Sequence, residues 1–195
     1  AEGTASHRHS GTLPPAVNSG MGTPLNGPDV GSPTLERIRR APKVLLHDHL
    51  DGGLRPSTII ELANETGYAD LPTADADELA AWMLRGANRK DLTLYLETFA
   101  HTVGVMQTAP AIERVARECA EDLAADGVVY AEIRFAPELH TERGLSLDAV
   151  IEAVITGFEA GASGTDLTIR IICSAMRHLD RGLEVAQVAL SLIHI

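Results

Sequence analysis

Cysteine is nearly absent from this chain of 195 residues: Cys119 and Cys173 are the only two, with no Cys-x-x-Cys pair and no disulfide framework. Reduced thiols in a cytoplasmic protein are the plain expectation. Basic residues are scarce beside acids, 16 Lys and Arg against 27 Asp and Glu, which leaves a formal net charge of −11. That balance argues against a nucleic-acid partner, because phosphate binding needs clustered Lys and Arg. A small neutral substrate suits it. No run approaches the roughly 18 apolar residues of a membrane helix, and the N-terminal stretch has no apolar signal core, so no membrane partner is expected. Periodic apolar residues are missing from residues 1–33, which are rich in Gly, Pro, Ser and Thr and read as a disordered extension. Met21 is the expected start. His7 and His9 have a ligand pair's spacing there without a scaffold to hold it.

Beyond residue 34 the pattern changes to alternating helices and strands. Pro56 at a helix start and the spacing of Ile59, Ile60, Leu62 and Ala63 predict a helix ending near Gly67. Further helices are predicted over 75–84, 92–106, 110–126, with Gly127 as terminator, 147–161 behind a Ser146 cap, and from Asp180 onward. The apolar runs 128–135 and 168–176 read as strands. Strands that alternate with helices predict a parallel α/β sheet.

The segment richest in chemistry is Val44-Leu45-Leu46-His47-Asp48-His49-Leu50-Asp51-Gly52-Gly53. It reads as a buried strand that ends in His-x-His and breaks at two glycines. Successive strand side chains point to opposite faces, so alternation puts His47 and His49 on the same face, converging on one cation. Imidazole is a preferred zinc ligand, and catalytic zinc uses about three protein ligands with one position open. The pair alone would supply half such a site.

These residues resemble a family. Residues 42–56, from Pro42-Lys43-Val44 through the His-x-His to Leu54-Arg55-Pro56, look like the first-strand signature of the adenosine deaminases, zinc enzymes of the amidohydrolase type built on a (β/α)8 barrel. Gly127-Val128-Val129-Tyr130-Ala131-Glu132-Ile133-Arg134-Phe135-Ala136-Pro137 and Ile169-Arg170-Ile171-Ile172-Cys173-Ser174-Ala175-Met176-Arg177-His178 match in the same order. The resemblance runs from about Leu35 to about Ala189. A complete barrel needs ~250 residues, so it implies a partial (β/α)8 TIM barrel, truncated after about three strands, with 34–189 as the N-terminal half. Leu190-Ser191-Leu192-Ile193-His194-Ile195 depart from the family and match one reading frame of a transposon end used in sequencing libraries. A non-native tail over 190–195 is expected, and His194 would carry no chemistry.

By the resemblance, His47 and His49 are two ligands of a Zn2+ that lowers the pKa of a water, giving hydroxide that attacks the amine-bearing purine carbon and releases ammonia. Asp51 matches a position that accepts a hydrogen bond from a ribose hydroxyl; on its own it reads equally as a turn cap. Gly52 matches a close backbone contact to substrate. Leu92, Tyr95 and Phe99 recur on one helical face, which by itself is a core stripe; they align with an apolar lid over the purine, with Tyr95 where phenylalanine is usual. Glu132 and Arg134 project to one side of the second strand, with Arg134 read as a structural ion-pair partner, and Arg177 and His178, which match the family, read as supporting residues. His101 and His140 match no ligand. The third histidine, proton-shuttling glutamate, second catalytic histidine and metal aspartate of the family have no counterpart here, so no acid or base of the reaction is assigned. The implied function is deamination of adenosine or deoxyadenosine, with the chain itself expected to be inactive. Alternatives are an adenine or aminofutalosine deaminase, which typically carries Glu where Asp51 stands, and a metal- or nucleoside-binding fragment without turnover. Cytidine-type deaminases need His-x-Glu with Pro-Cys-x-x-Cys, and the two cysteines here are 54 positions apart.

Overall fold

The computed structural model describes residues 34–88 and 92–192, with 92–94 described by backbone alone. Contacts divide the chain after Thr34, and the unit that starts at Leu35 carries all the elements below. The expected extension over 1–33, with His7, His9 and Met21, lies outside the described residues, as do 193–195 of the expected tail.

Three strands, β1 (Lys43–His49), β2 (Val128–Phe135) and β3 (Thr168–Cys173), form one parallel sheet in the order β1-β2-β3. Helices α1 (Leu35–Arg40), α2 (Pro56–Thr66), α3 (Ala76–Ala87), α4 (Leu92–Val105), α5 (Ala109–Ala125), α6 (Leu147–Ala162) and α7 (Gly182–Ser191) precede, connect and follow them. This is the α/β arrangement of successive βα units in a partial (β/α)8 barrel. All three strands end at the same edge of the sheet.

Local chemistry explains most boundaries. Pro56 opens α2 at a position where its missing N–H costs nothing, and Gly67, at φ 70°, ends it in the left-handed conformation that disfavours side chains. Asp75 accepts the N–H groups of Asp77 and Glu78 at 3.0 and 2.9 Å to start α3. Thr108 and Ser146 cap α5 and α6 in the same way. Helix α6 lies very close to α5: a Cβ at Gly157 or Gly161 would stand 2.3 Å from the carbonyl oxygen of Glu113 or Arg117. Helix α1 escaped the sequence reading; it is six residues long and buries none of them. Strand β3 is shorter than its apolar run, since the Met176 N–H donates to buried Glu138 and residues after Cys173 leave the ladder.

The core lies between the sheet and the helices. On β2, Ala131, Ile133 and Phe135 are buried towards the helices, and Tyr130, Glu132 and Arg134 alternate onto the opposite face. Regular alternation fails on β1. Leu45 pairs with Ala131 and Asp48 with Ile133, so three steps on β1 match two on β2. The extra residue is a bulge, and His47 takes φ 62° within it. Without it, the phase set by Leu45 would turn His47 and His49 towards the helices. With it, His49 stands opposite Arg134, on the face away from them. Alternation was therefore the wrong reason for the pair's placement; an inserted residue positions it.

Candidate active site at the strand ends

The C-terminal ends of β1, β2 and β3 bring together His47, His49, Arg134 and Ser174. The ring centroids of His47 and His49 are 5.8 Å apart. Phe99, from α4, meets His49 edge-on at 6.5 Å, and Tyr95 meets Phe99 at 5.3 Å. Both aromatics therefore stand beside the His pair, as the stripe at spacing four requires. Leu92 begins the same helix, and its side chain lies outside the described residues.

Past β1 a single 3-10 turn, Leu50–Gly52, is anchored by buried Leu50 and sets Asp51 beneath the pair. Asp51 Oδ1 lies 3.7 Å from His49 Nδ1, too far for a hydrogen bond, and is itself buried without a partner among the described residues. Burial pushes this carboxyl above its usual range, opposed by the nearby charges of His49 and Arg134. At Gly52 a Cβ would sit 3.5 Å from both His49 Cβ and the Phe99 ring, an ordinary contact. Neither backbone conformation nor a close contact among the described residues requires a glycine here.

Arg134 ties the strands together. Its Nη1 is 2.6 Å from His47 Nε2, and its Nη2 donates to Ser174 Oγ at 3.0 Å. A guanidinium has no acceptor, so His47 Nε2 must accept, and the imidazole is neutral with its proton on Nδ1. The Ser174 N–H in turn donates to the Phe135 carbonyl at 2.9 Å.

A cavity of about 420 Å³ opens over this group, lined by His49, Asp51, Gly52, Tyr95, Phe99 and Arg134 and walled by the apolar Leu96, Val103, Leu139 and Met176. A second cavity, of about 300 Å³, meets it across Asp51, Gly52, Tyr95 and Phe99. His47 lines neither. The arrangement offers an imidazole and a carboxylate at one end of an apolar slot, which suits a flat heterocycle carrying a hydroxylated substituent.

Several residues singled out in the sequence stand elsewhere. His101 faces Tyr68 Oη at 2.9 Å and Trp82 at 5.3 Å. His140 is fully buried, its Nδ1 on the Met106 carbonyl at 3.1 Å. Burial pushes it down to about 4. Arg177 and His178 are exposed in the turn after β3, and Glu132 lies deeper on the sheet, accepting from Tyr130 Oη at 3.2 Å. Ser174 and the apolar wall were missed by sequence reading. Leu96 and Val103, four residues beyond Leu92 and Phe99, carried a signal as part of the helical spacing, and Ser174 and Met176 lie within the third matched motif.

A zinc ion is implied for such a strand end. The donor types suit it, with the His47 and His49 rings 5.8 Å apart and His49 beside the unpartnered Asp51 Oδ1, but among the described residues no three His, Cys, Asp or Glu stand together closely enough to hold a metal ion. The pair amounts to part of a ligand shell.

Comparison with known proteins gives a consistent picture. The sequence-family model described as adenosine deaminase matches residues 42–193. The adenosine deaminase of Mycolicibacterium gilvum (strain PYR-GCK) is 62% identical over 162 residues, which are 80% of this chain and 45% of that protein. Adenosine deaminase 1 of Streptomyces coelicolor is 60% identical over 163 residues, 81% of this chain and 41% of that protein. Among solved structures, adenine deaminase from Arthrobacter aurescens superposes with a TM-score of 0.66 at 29% identity, over 77% of this chain and 45% of that one. Arabidopsis ADAL complexed with GMP gives 0.67 at 25% identity, over 81% and 48%. An amidohydrolase from Burkholderia ambifaria with bound Zn gives 0.63 at 25%, over 81% and 42%. The chain thus spans a little under half the length of the curated relatives it matches.

Proposed function

The chain belongs to the adenosine deaminase family, and from that premise we propose that the whole protein hydrolyses adenosine or deoxyadenosine to the inosine product and ammonia with the help of zinc. The observation that supports this most is that His49, with His47 beside it, and Asp51 stand at the floor of an apolar slot walled by Tyr95 and Phe99.

In this reading His47 and His49 hold the metal, which when bound acidifies a water near neutral pH. Asp51, whose Oδ1 is buried without a partner among the described residues, accepts from a ribose hydroxyl. Gly52 leaves room for the substrate to lie against backbone. Leu92, Tyr95 and Phe99 cover the purine and keep water off its faces. The proton-transferring groups are supplied from outside this chain. Asp51, rather than Glu, favours a nucleoside over a free base such as adenine.

A second reading is favoured by the incomplete ligand set: the chain alone binds metal or nucleoside without turnover. One experiment separates them. Full-length protein is expected to release ammonia from adenosine and to lose that activity on His49→Ala, while the 195-residue chain shows none. Metal-dependent deamination by the short chain would overturn the assignment of proton transfer to residues outside it.

A further inference from the structure

The smaller of the two cavities has no part in the proposed reaction. It holds about 300 Å³ and meets the larger slot across Asp51, Gly52, Tyr95 and Phe99. Beyond that join, among the described residues, Met83, Leu84 and Ala87 of α3 and Thr98 and Thr102 of α4 line it. Both threonine hydroxyls are spent inside their own helix, donating to the carbonyls of Tyr95 and Phe99 at 2.7 and 3.1 Å. The space beyond the join is therefore apolar in character. No Lys, Arg or His lines it among the described residues. A phosphate placed there would find neither positive charge nor a set of donors, and the carboxylate at the join would repel it. An uncharged apolar group would instead shed water against Met83 and Leu84.

Asp51 decides which end of a substrate reaches this space. His49 and Arg134 line only the larger slot, whereas Asp51 lines both cavities, and its Oδ1 is buried with no hydrogen-bond partner among the described residues. A purine whose reacting carbon lies towards His49, with a sugar hydroxyl on Asp51, has its sugar at the join and the smaller cavity beyond it. We propose that the cavity between α3 and α4 is a subsite for a short uncharged substituent on the sugar, so that the site takes purine nucleosides with an alkyl or alkylthio group in place of the primary hydroxyl and rejects those with a phosphate there. This rests on the reading of the whole protein as an adenosine deaminase. The chemistry is unchanged: water replaces the ring amine, ammonia leaves, and the bond between substituent and sugar stays intact.

The test compares kcat/KM of the full-length protein for adenosine, its methylthio analogue and adenosine monophosphate, in the wild type, Ala87→Leu and Met83→Ala. The wild type should process the methylthio analogue within about 10-fold of adenosine, and the monophosphate at least about 100-fold more slowly. Ala87→Leu fills the cavity and should cost the methylthio analogue about 10-fold and adenosine less than about 2-fold. Met83→Ala enlarges it and should shift preference towards a butylthio analogue; it decides the matter should Ala87→Leu not fold. Normal turnover of adenosine with rejection of the methylthio analogue, efficient turnover of the monophosphate, or variants that change all substrates alike would overturn the subsite alone. No ammonia from adenosine with any form would overturn the deaminase reading and the subsite with it.

Discussion

The two faces of the sheet differ sharply. Towards the helices, Ala131 and Ile133 are 0% exposed and Phe135 is 2% exposed. On the opposite face, Val44 is 61% exposed, Leu46 59% and Ile172 37%, beside Tyr130, Glu132 and Arg134. The helix-covered face holds this unit together, whereas the other carries the candidate site and leaves apolar surface open. In a closed barrel that second face is the packed interior. The core and the candidate site therefore lie on opposite sides of the same strands, and substitutions should separate their effects.

The largest effect is expected on the covered face. Ile133→Ala leaves a cavity in the core under β2 and should lower unfolding stability by about 2–5 kcal/mol, whereas Leu46→Ala should stay within about 0.5 kcal/mol. Urea denaturation of the two variants measures the contrast. A Leu46 variant as damaged as the Ile133 one would mean that the open face is packed in solution.

The next effect is of pH and falls on His140, at the edge of the covered core. Its folded pKa, about 4, lies below the ordinary value of 6.5 because burial disfavours the charged ring. Between those values the unfolded chain binds the extra proton, so the stabilising contribution is complete above about pH 6.5 and is lost as pH falls towards 4. The integrated loss is about 3 kcal/mol. His140→Gln should flatten that part of the stability–pH curve. An unchanged slope would show that other groups cause the acid loss.

The smallest and most diagnostic contrast is between two glycines. At Gly157 an added Cβ meets backbone at 2.3 Å, so Gly157→Ala should force α6 from α5 and cost about 1–3 kcal/mol. At Gly52 the Cβ meets only ordinary contacts at 3.5 Å, so Gly52→Ala should leave the melting temperature nearly unchanged while narrowing the slot and weakening adenosine binding. Thermal melts and ligand titration on the same samples test both halves.

The fold was legible wherever one residue type decides a boundary: Pro56, Gly67, Ser146 and Gly127 stand at the helix ends expected of them. Strand β2 runs over the predicted residues because β-branched and apolar side chains fill it. The bulge at His47 was not legible. Val44-Leu45-Leu46 is apolar at every position, so no alternation announces which face is which. The motif made the His pair, Asp51, Gly52, Tyr95 and Phe99 visible as candidates. Arg134 on His47 and Ser174 on Arg134 join positions 87 and 40 residues apart and exist only once the strands pair. The sequence marked Arg134 as a partner for a charge, but its partner is a neutral imidazole.

The central claim is that binding happens on the open face at the strand ends and nowhere on the covered side. Amide chemical shifts of the 195-residue chain, followed as zinc and then adenosine are added, test it directly. The account predicts changes confined to residues 47–53, 95–103, 134–139 and 174–176, with α5 and the body of α6 unmoved. Shifts centred instead on the groove of Ile155, Phe158 and Ile171 between α6 and β3, with none around His49, would contradict it.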